Sequence, residues 1–140
     1  MKDKKTCLKI INIVSKYYNR DILDAKTLTN RKRENVMPRQ IAMYLIDKYV
    51  KTDLQYNADF FKKDHATVIH AKKTINNLLE YNRDVVNQIR EIENIITLTI
   101  DFGKLEQKEQ LIFRIAEKLR KKSIERVYNI NKILSYFLSE

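Results

Sequence analysis

Leu54-Gln55-Tyr56-Asn57-Ala58-Asp59-Phe60-Phe61-Lys62-Lys63-Asp64-His65-Ala66-Thr67-Val68-Ile69-His70-Ala71 is the stretch that decides the fold. Leu54, Ala58 and Phe61 mark the apolar side of a short helix. Thr52-Asp53 before them supplies an N-cap, and Lys62-Lys63 after them leaves room only for a tight connection. Asp64 is a second N-cap, because its carboxylate can accept from the orphan N–H groups of a first helical turn. Val68, Ala71, Ile75, Leu78 and Leu79 then recur at helical spacing as far as about Tyr81. Short helix, tight turn, longer helix: the outline is that of a helix-turn-helix.

Working outward, Pro38 suits a first helical turn, where its missing N–H costs nothing. From it the spacing predicts a helix with Ile41, Leu45 and Tyr49 on one side and Ala42, Ile46 and Val50 beside them. Cys7, Ile10, Ile11, Val14, Tyr17 and Tyr18 form one face of an earlier amphipathic helix. Residues 19–37 lack this period and read as a short helix or turn around Ile22–Leu28, followed by an extended arm carrying Arg31-Lys32-Arg33. Downstream, Val85, Ile89, Ile92 and Ile96 predict another helix. Residues 105–138 read as one long helix or two. A single Gly and a single Pro in 140 residues argue against an all-β fold, which needs turn residues at short intervals. The expected fold is an all-α helical bundle with a helix-turn-helix, residues 1–96, plus a helical C-terminal extension, residues 97–140.

Net charge is +10, spread over the whole chain. Such an excess favours polyanions through counterion release but specifies no base sequence. The one cysteine, Cys7, cannot form an internal disulfide and sits in an apolar stripe, as expected of a buried thiol in a reducing compartment. No apolar run is long enough for a membrane span, so the expected location is cytoplasmic.

On a helical wheel Ala66, His70, Lys73 and Asn77 lie roughly opposite the Val68/Ala71/Ile75 stripe. Lys63 leads into the same face, which has no carboxylate at its centre. Such a face suits a major groove, and it equally suits plain solvent. The first turn says more. Asp64 can accept from cytosine N4, His65 can donate to a base acceptor or pack on a thymine methyl, and Thr67 can touch a methyl or a phosphate. Catalysis and metal binding find little support. His65 and His70 are five apart where a helical zinc pair needs four, and Cys7 has no histidine near it in sequence. The expectation is a non-enzyme with no cofactor. Tyr17, Tyr18 and Tyr49 fall on apolar faces, which favours packing over stacking on single-stranded bases.

Pro38-Arg39-Gln40-Ile41-Ala42-Met43-Tyr44-Leu45, followed by Asp64-His65-Ala66-Thr67-Val68-Ile69-His70-Ala71, closely resembles the C-terminal DNA-binding domain of the bacterial replication initiator family DnaA. The resemblance covers about residues 7–96. It implies a Trp-repressor-like helical domain bound to double-stranded DNA at a short A·T-rich site, the DnaA box. Within it Arg31 occupies the place of the arginine that enters the minor groove, and Asp64 and His65, with Ala66 beside them, that of the base-reading start of the recognition helix. Implied phosphate contacts fall at Arg39, Gln40, Lys63, Thr67 and His70. Lys62 and Lys73 join them on charge and position. The chain departs from the family in the turn, where Lys62-Lys63 stands for two glycines and an arginine. Neither lysine accommodates positive φ as glycine does, which leaves the approach angle of the helix open. With a single glycine, the chain also contains no phosphate-binding G-x-x-x-x-G-K-[ST] loop, so it carries the reader without the motor.

The extension after Ile96 has no counterpart in the resembled domain. Its apolar face can fold back on the body or pair with a second copy as a homodimer, and Lys118, Arg120, Lys121, Lys122 and Arg126 can add phosphate contacts. The leading expectation is sequence-specific duplex binding that regulates replication initiation or transcription. Its rivals are an adaptor that docks replication proteins through 97–140, and a nonspecific basic nucleic-acid-binding protein.

Overall fold

In the computed structural model the described residues are 2–102, 112, 114–116 and 124–138. They form helices α1 (Lys2–Tyr17), α2 (Ala25–Thr29), α3 (Arg33–Tyr49), α4 (Leu54–Asp59), α5 (His65–Tyr81), α6 (Arg83–Phe102) and α7 (Ile124–Leu138). No strand occurs among the described residues. The chain divides into two compact units, Met1–Asn94 and Ile95–Glu140.

In the first unit α3 is the central helix, packed on α5 above all and also on α1, α2 and α4. The reason lies in its sequence, since Ile41, Ala42, Met43, Leu45 and Ile46 are all buried and give it an apolar surface around much of its girth. Cys7, Ile10 and Val14 of α1 and Val68, Ala71 and Ile75 of α5 are buried as well, so the stripes legible in the sequence are the ones that form the core. Each buried Val, Leu, Ile or Met among them contributes about 1.5–3 kcal/mol. The surface ion pair between Lys72 Nζ of α5 and Asp47 of α3, at 3.0 Å, is worth at most about 1 kcal/mol, so apolar packing and not charge sets the α3–α5 crossing.

The start of α6 is latched by polar tips. Tyr17 Oη donates to Glu91 at 2.6 Å, Tyr18 Oη to Gln88 at 2.7 Å, and Tyr49 Oη together with Lys48 Nζ to Glu93 at 2.6 and 2.9 Å. These tyrosines pack as the sequence predicts, and their hydroxyls gain a hydrogen bond as well. Cys7 is fully buried; burial, with Asp3 nearby, pushes its thiol up to about 11, which makes it an inert packing group.

With glycine absent from the described turns, helices end by other means. Asn19, Lys51 and Lys62 take positive φ of 53°, 57° and 53°. At the end of α1 the Asn19 N–H bonds the Lys16 carbonyl and the Arg20 N–H the Ser15 carbonyl, the two bonds of a Schellman closure. The same pair closes α4, from Lys62 N–H to the Asp59 carbonyl and from Lys63 N–H to the Ala58 carbonyl. The sequence argued against positive φ at Lys62-Lys63. The structure places Lys62 there regardless, because the two closing hydrogen bonds outweigh the roughly 1–2 kcal/mol that a side chain costs in this conformation. Lys62→Gly should therefore stabilise the domain by about 0.5–1 kcal/mol in chemical denaturation, since relief of strain is partly offset by the flexibility glycine adds to the unfolded chain.

Residues 19–37 are more helical than the sequence suggests. The helix expected from Pro38 starts at Arg33, and Pro38 lies inside α3. Pro38 removes one hydrogen bond near a helix start and does not break the helix, because the first turn is already fixed by the Asn35 and Val36 N–H groups on the Lys32 carbonyl. The expected extended arm shrinks to the three-residue link 30–32.

In the second unit Ile115 and Phe137 are buried, with Leu98, Ile112, Ile133 and Leu134 packed against them. The β-branched run Ile95–Phe102 is helical as the C-terminal part of α6. Gly103 and Leu119 lie outside the described residues, as do Lys118, Arg120, Lys121, Lys122 and the side chain of Arg126.

Candidate nucleic-acid interface

Two helix starts build the candidate site. Asp53 Oδ1 accepts from the Gln55 N–H at 3.1 Å and starts α4. Asp64 Oδ1 accepts from the Thr67 N–H at 3.0 Å and from its hydroxyl at 2.9 Å, and starts α5. Between them Phe61 is fully buried and anchors the turn, while Lys62 on one side of it stays exposed and Lys63 is half-buried. Gln55 Nε2 donates to Asp59 Oδ1 at 2.7 Å and to the Lys63 carbonyl at 3.4 Å, tying the start of α4 to the turn.

Along α5 the side chains of Asp64, His65, Ala66, Ile69, His70, Lys73 and Asn77 are all exposed. By helix geometry the first N–H groups, those of His65 and Ala66, have no intrahelical acceptor. The tip thus offers backbone donors and a partial positive charge, to which phosphate oxygens or base acceptors can bind. Hydrogen bonds from the Thr67 N–H and hydroxyl, with His65 adjacent, hold the Asp64 carboxyl below the usual carboxylate range. It therefore stays ionised and acts only as an acceptor, the role a cytosine amino group requires. Both donors of Thr67 are spent on Asp64, so a phosphate contact by Thr67 requires its hydroxyl to turn away from the cap.

The sequence-predicted residues divide by element. Asp64, His65, Ala66, His70 and Lys73 share the exposed side of α5, with Lys62 and Lys63 in the turn leading to it. Gln40 is half-buried on α3, and Arg31 is exposed in the link between α2 and α3. Arg39 differs from expectation. It is only 8% exposed, and its Nη1 donates to the carbonyls of Thr27 at 2.7 Å and Leu28 at 3.2 Å. Burial lowers the pKa of its guanidinium from the ordinary value. Its place as a free phosphate contact is corrected to that of a buried clamp on the C-terminal end of α2, where the orphan carbonyls of a five-residue helix need a donor. Arg39→Met should accordingly cost about 1–2 kcal/mol in unfolding free energy, as read by denaturant titration.

Three further residues escape a sequence reading. Ile69 is 50% exposed on the outer face of α5, an apolar group suited to a thymine methyl; the visible signal is that it lies out of phase with the Val68/Ala71/Ile75 stripe. Asn57 is fully buried, and its Nδ2 donates to the Met43 carbonyl at 2.9 Å, fixing α4 against α3. Arg20 binds the first turn of α3 and is taken up below. Among the described residues there is no cluster of His, Cys, Asp or Glu that can hold a metal ion, and no helix is long and apolar enough to cross a membrane.

The family model described as the bacterial dnaA protein helix-turn-helix matches residues 7–75. The Enterococcus faecalis chromosomal replication initiator protein DnaA is 38% identical over 96 residues, which is 68% of this chain and 21% of that protein. The protein of the same name from Bacteroides thetaiotaomicron is 38% identical over 88 residues, 62% of this chain and 18% of the relative. That from Latilactobacillus sakei is 37% identical over 87 residues, 61% and 19%. The chain thus spans about a fifth of the length of the curated relatives it matches. The matched module is a DNA-binding and not a catalytic one. With an all-helical core, two capped helices joined by a tight turn and an exposed Asp-His start, residues 7–75 of this chain belong to the bacterial DnaA helix-turn-helix family.

Proposed function

We propose that the chain binds duplex DNA sequence-specifically at A·T-rich, DnaA-box-like sites and thereby regulates replication initiation or transcription. The observation that carries this reading is the exposed first turn of α5, where Asp64, His65 and Ala66 stand clear of the core. In the proposed complex that turn enters the major groove. Asp64 accepts from a base amino group, His65 donates to a base or packs on a methyl, and Ile69 lies one turn behind. Arg31 enters the adjacent minor groove, whose narrow A·T form concentrates negative potential. Lys62, Lys63, His70 and Lys73 neutralise phosphates and set the salt dependence of binding. Selection of bound duplexes from a random pool tests the reading. It requires an enriched A·T-rich consensus that outcompetes scrambled duplex, and a pool that stays random after several rounds contradicts it.

A second reading gives residues 97–140 a docking role, toward a replication protein or a second copy of the chain. Leu138, 71% exposed at the end of α7 next to the buried Phe137, favours it. A truncation after Ile96 that keeps duplex preference but loses the partner or the dimer supports this reading.

A further inference from the structure

We infer that Arg20, at the end of α1, is the positioning residue that presents Arg31 to DNA. This rests on the proposed groove role of Arg31.

The link 30–32 has few ways to be held. Arg31 and Lys32 are exposed, so no apolar burial fixes them. One flank opens on a cleft of about 620 Å³ whose walls include Tyr18, Arg20, Lys32, Arg33 and Met37. What remains is a set of polar bonds at its ends. On the α2 side, Arg39 grips the Thr27 and Leu28 carbonyls. Inside the link, Asn30 Oδ1 accepts from the Lys32 N–H at 2.8 Å and forms a local turn. On the α3 side, Arg20 Nη1 donates to Oδ1 of Asn35 at 2.9 Å, and Asn35 is only 6% exposed. Arg20 Nη2 lies 3.4 Å from Glu34 Oε2.

The α3 N-cap, Lys32, makes no side-chain capping bond. Beside the Asn35 and Val36 N–H bonds onto the Lys32 carbonyl, Arg20 therefore adds a side-chain hold on the first turn of α3, through two consecutive residues, from a backbone that is itself locked. Its own N–H is the long bond of the closure at Asn19. A guanidinium suits this task because its planar fork serves two acceptors at once. The consequence is a short link held at both ends, with the exposed side chain of Arg31 between them. A basic arm that is ordered before binding avoids the loss of affinity that comes when only a fraction of molecules presents it.

The test compares the full chain with Arg20→Ala, Glu34→Gln, Arg31→Ala and the Arg20→Ala/Arg31→Ala double variant. Each is titrated by anisotropy against the duplex selected from the random pool and against its scrambled counterpart, with thermal melting to verify folding. Arg20→Ala should weaken the selected duplex about tenfold and the scrambled one by less than about twofold. In the Arg31→Ala background the same change should cost nothing more, since there is no longer a side chain to present. Backbone ¹⁵N relaxation of the free protein should show residues 31 and 32 gaining motion in Arg20→Ala. Glu34→Gln separates presentation from charge. It raises net positive charge, so a purely electrostatic arm binds both duplexes more tightly, whereas loss of presentation weakens the selected one by about twofold to threefold. Equal losses on both duplexes, a loss that persists without Arg31, tighter binding of both duplexes by Glu34→Gln, or unchanged relaxation each overturn the inference. If Arg31→Ala itself leaves duplex preference intact, the groove role of Arg31 falls and the inference falls with it. If Arg31→Ala abolishes preference and Arg20→Ala does not, only the inference falls.

Discussion

Replacing Phe61 by alanine is expected to lower the stability of the first unit by about 3–5 kcal/mol, the largest effect of any single change considered. Phe61 follows the last turn of α4, is fully buried, and immediately precedes the strained Lys62. Its ring is the apolar anchor of the turn. Truncation removes the buried surface and leaves a cavity in the core at the turn between α4 and α5. A further cost arises because the left-handed Lys62 is maintained only while the surrounding turn holds it. For a domain near this size the change corresponds to a drop in Tm on the order of 20 °C, measurable by circular dichroism. Phe61→Leu, which keeps most of the volume, should retain the larger part of the stability.

The second large effect is on recognition and not on folding. His65→Ala should leave the melting temperature within a few degrees of the parent, because the side chain is exposed and Asp64 and Thr67 still form the cap. Preference for the selected duplex should fall by about 1–3 kcal/mol, roughly 5- to 150-fold, with little change on scrambled duplex. Lys73→Ala gives the contrasting pattern. Loss of a phosphate contact weakens both duplexes similarly and reduces the salt slope by about one. Anisotropy titrations of both duplexes at two salt concentrations separate these patterns.

The parts of the fold that depend on periodicity were readable from the chain. The stripes of α1, α3 and α5 emerge as buried cores, and Asp53 and Asp64 emerge as caps, because helical spacing and capping chemistry are local properties. What was not readable rests on nonlocal or backbone choices. Pro38 marked a helix start by its own chemistry, yet α3 begins five residues earlier, since bonds onto the Lys32 carbonyl had already set the turn. Positive φ at Lys62 runs against local preference and is imposed by the closure of α4. Arg39 looks like a phosphate ligand in a one-dimensional pattern; only folding brings the Thr27 and Leu28 carbonyls to its guanidinium. The buried Asn57 is likewise invisible in sequence, where asparagine beside Tyr56 reads as surface.

Departure from glycine in the turn has a physical meaning for the reading head. Two closing hydrogen bonds at Lys62 and Lys63 keep the connection between α4 and α5 tight, and the lysine side chains place two cations in the turn that leads to α5. A turn that loosens would tilt α5 and move Asp64 and His65 together. Changes in the turn should therefore alter the preferred sequence, while changes at Lys73 should alter only affinity.

In the proposed complex the opening turn of α5 meets the bases. This contact is tested most directly by mapping amide chemical shifts of the ¹⁵N-labelled chain as selected duplex is added. The largest displacements should fall at residues 64–67, with a second group at 31 and 32, and scrambled duplex should displace the first group far less. Shifts concentrated in 124–138, or the same small changes over residues 64–67 with either duplex, would contradict it.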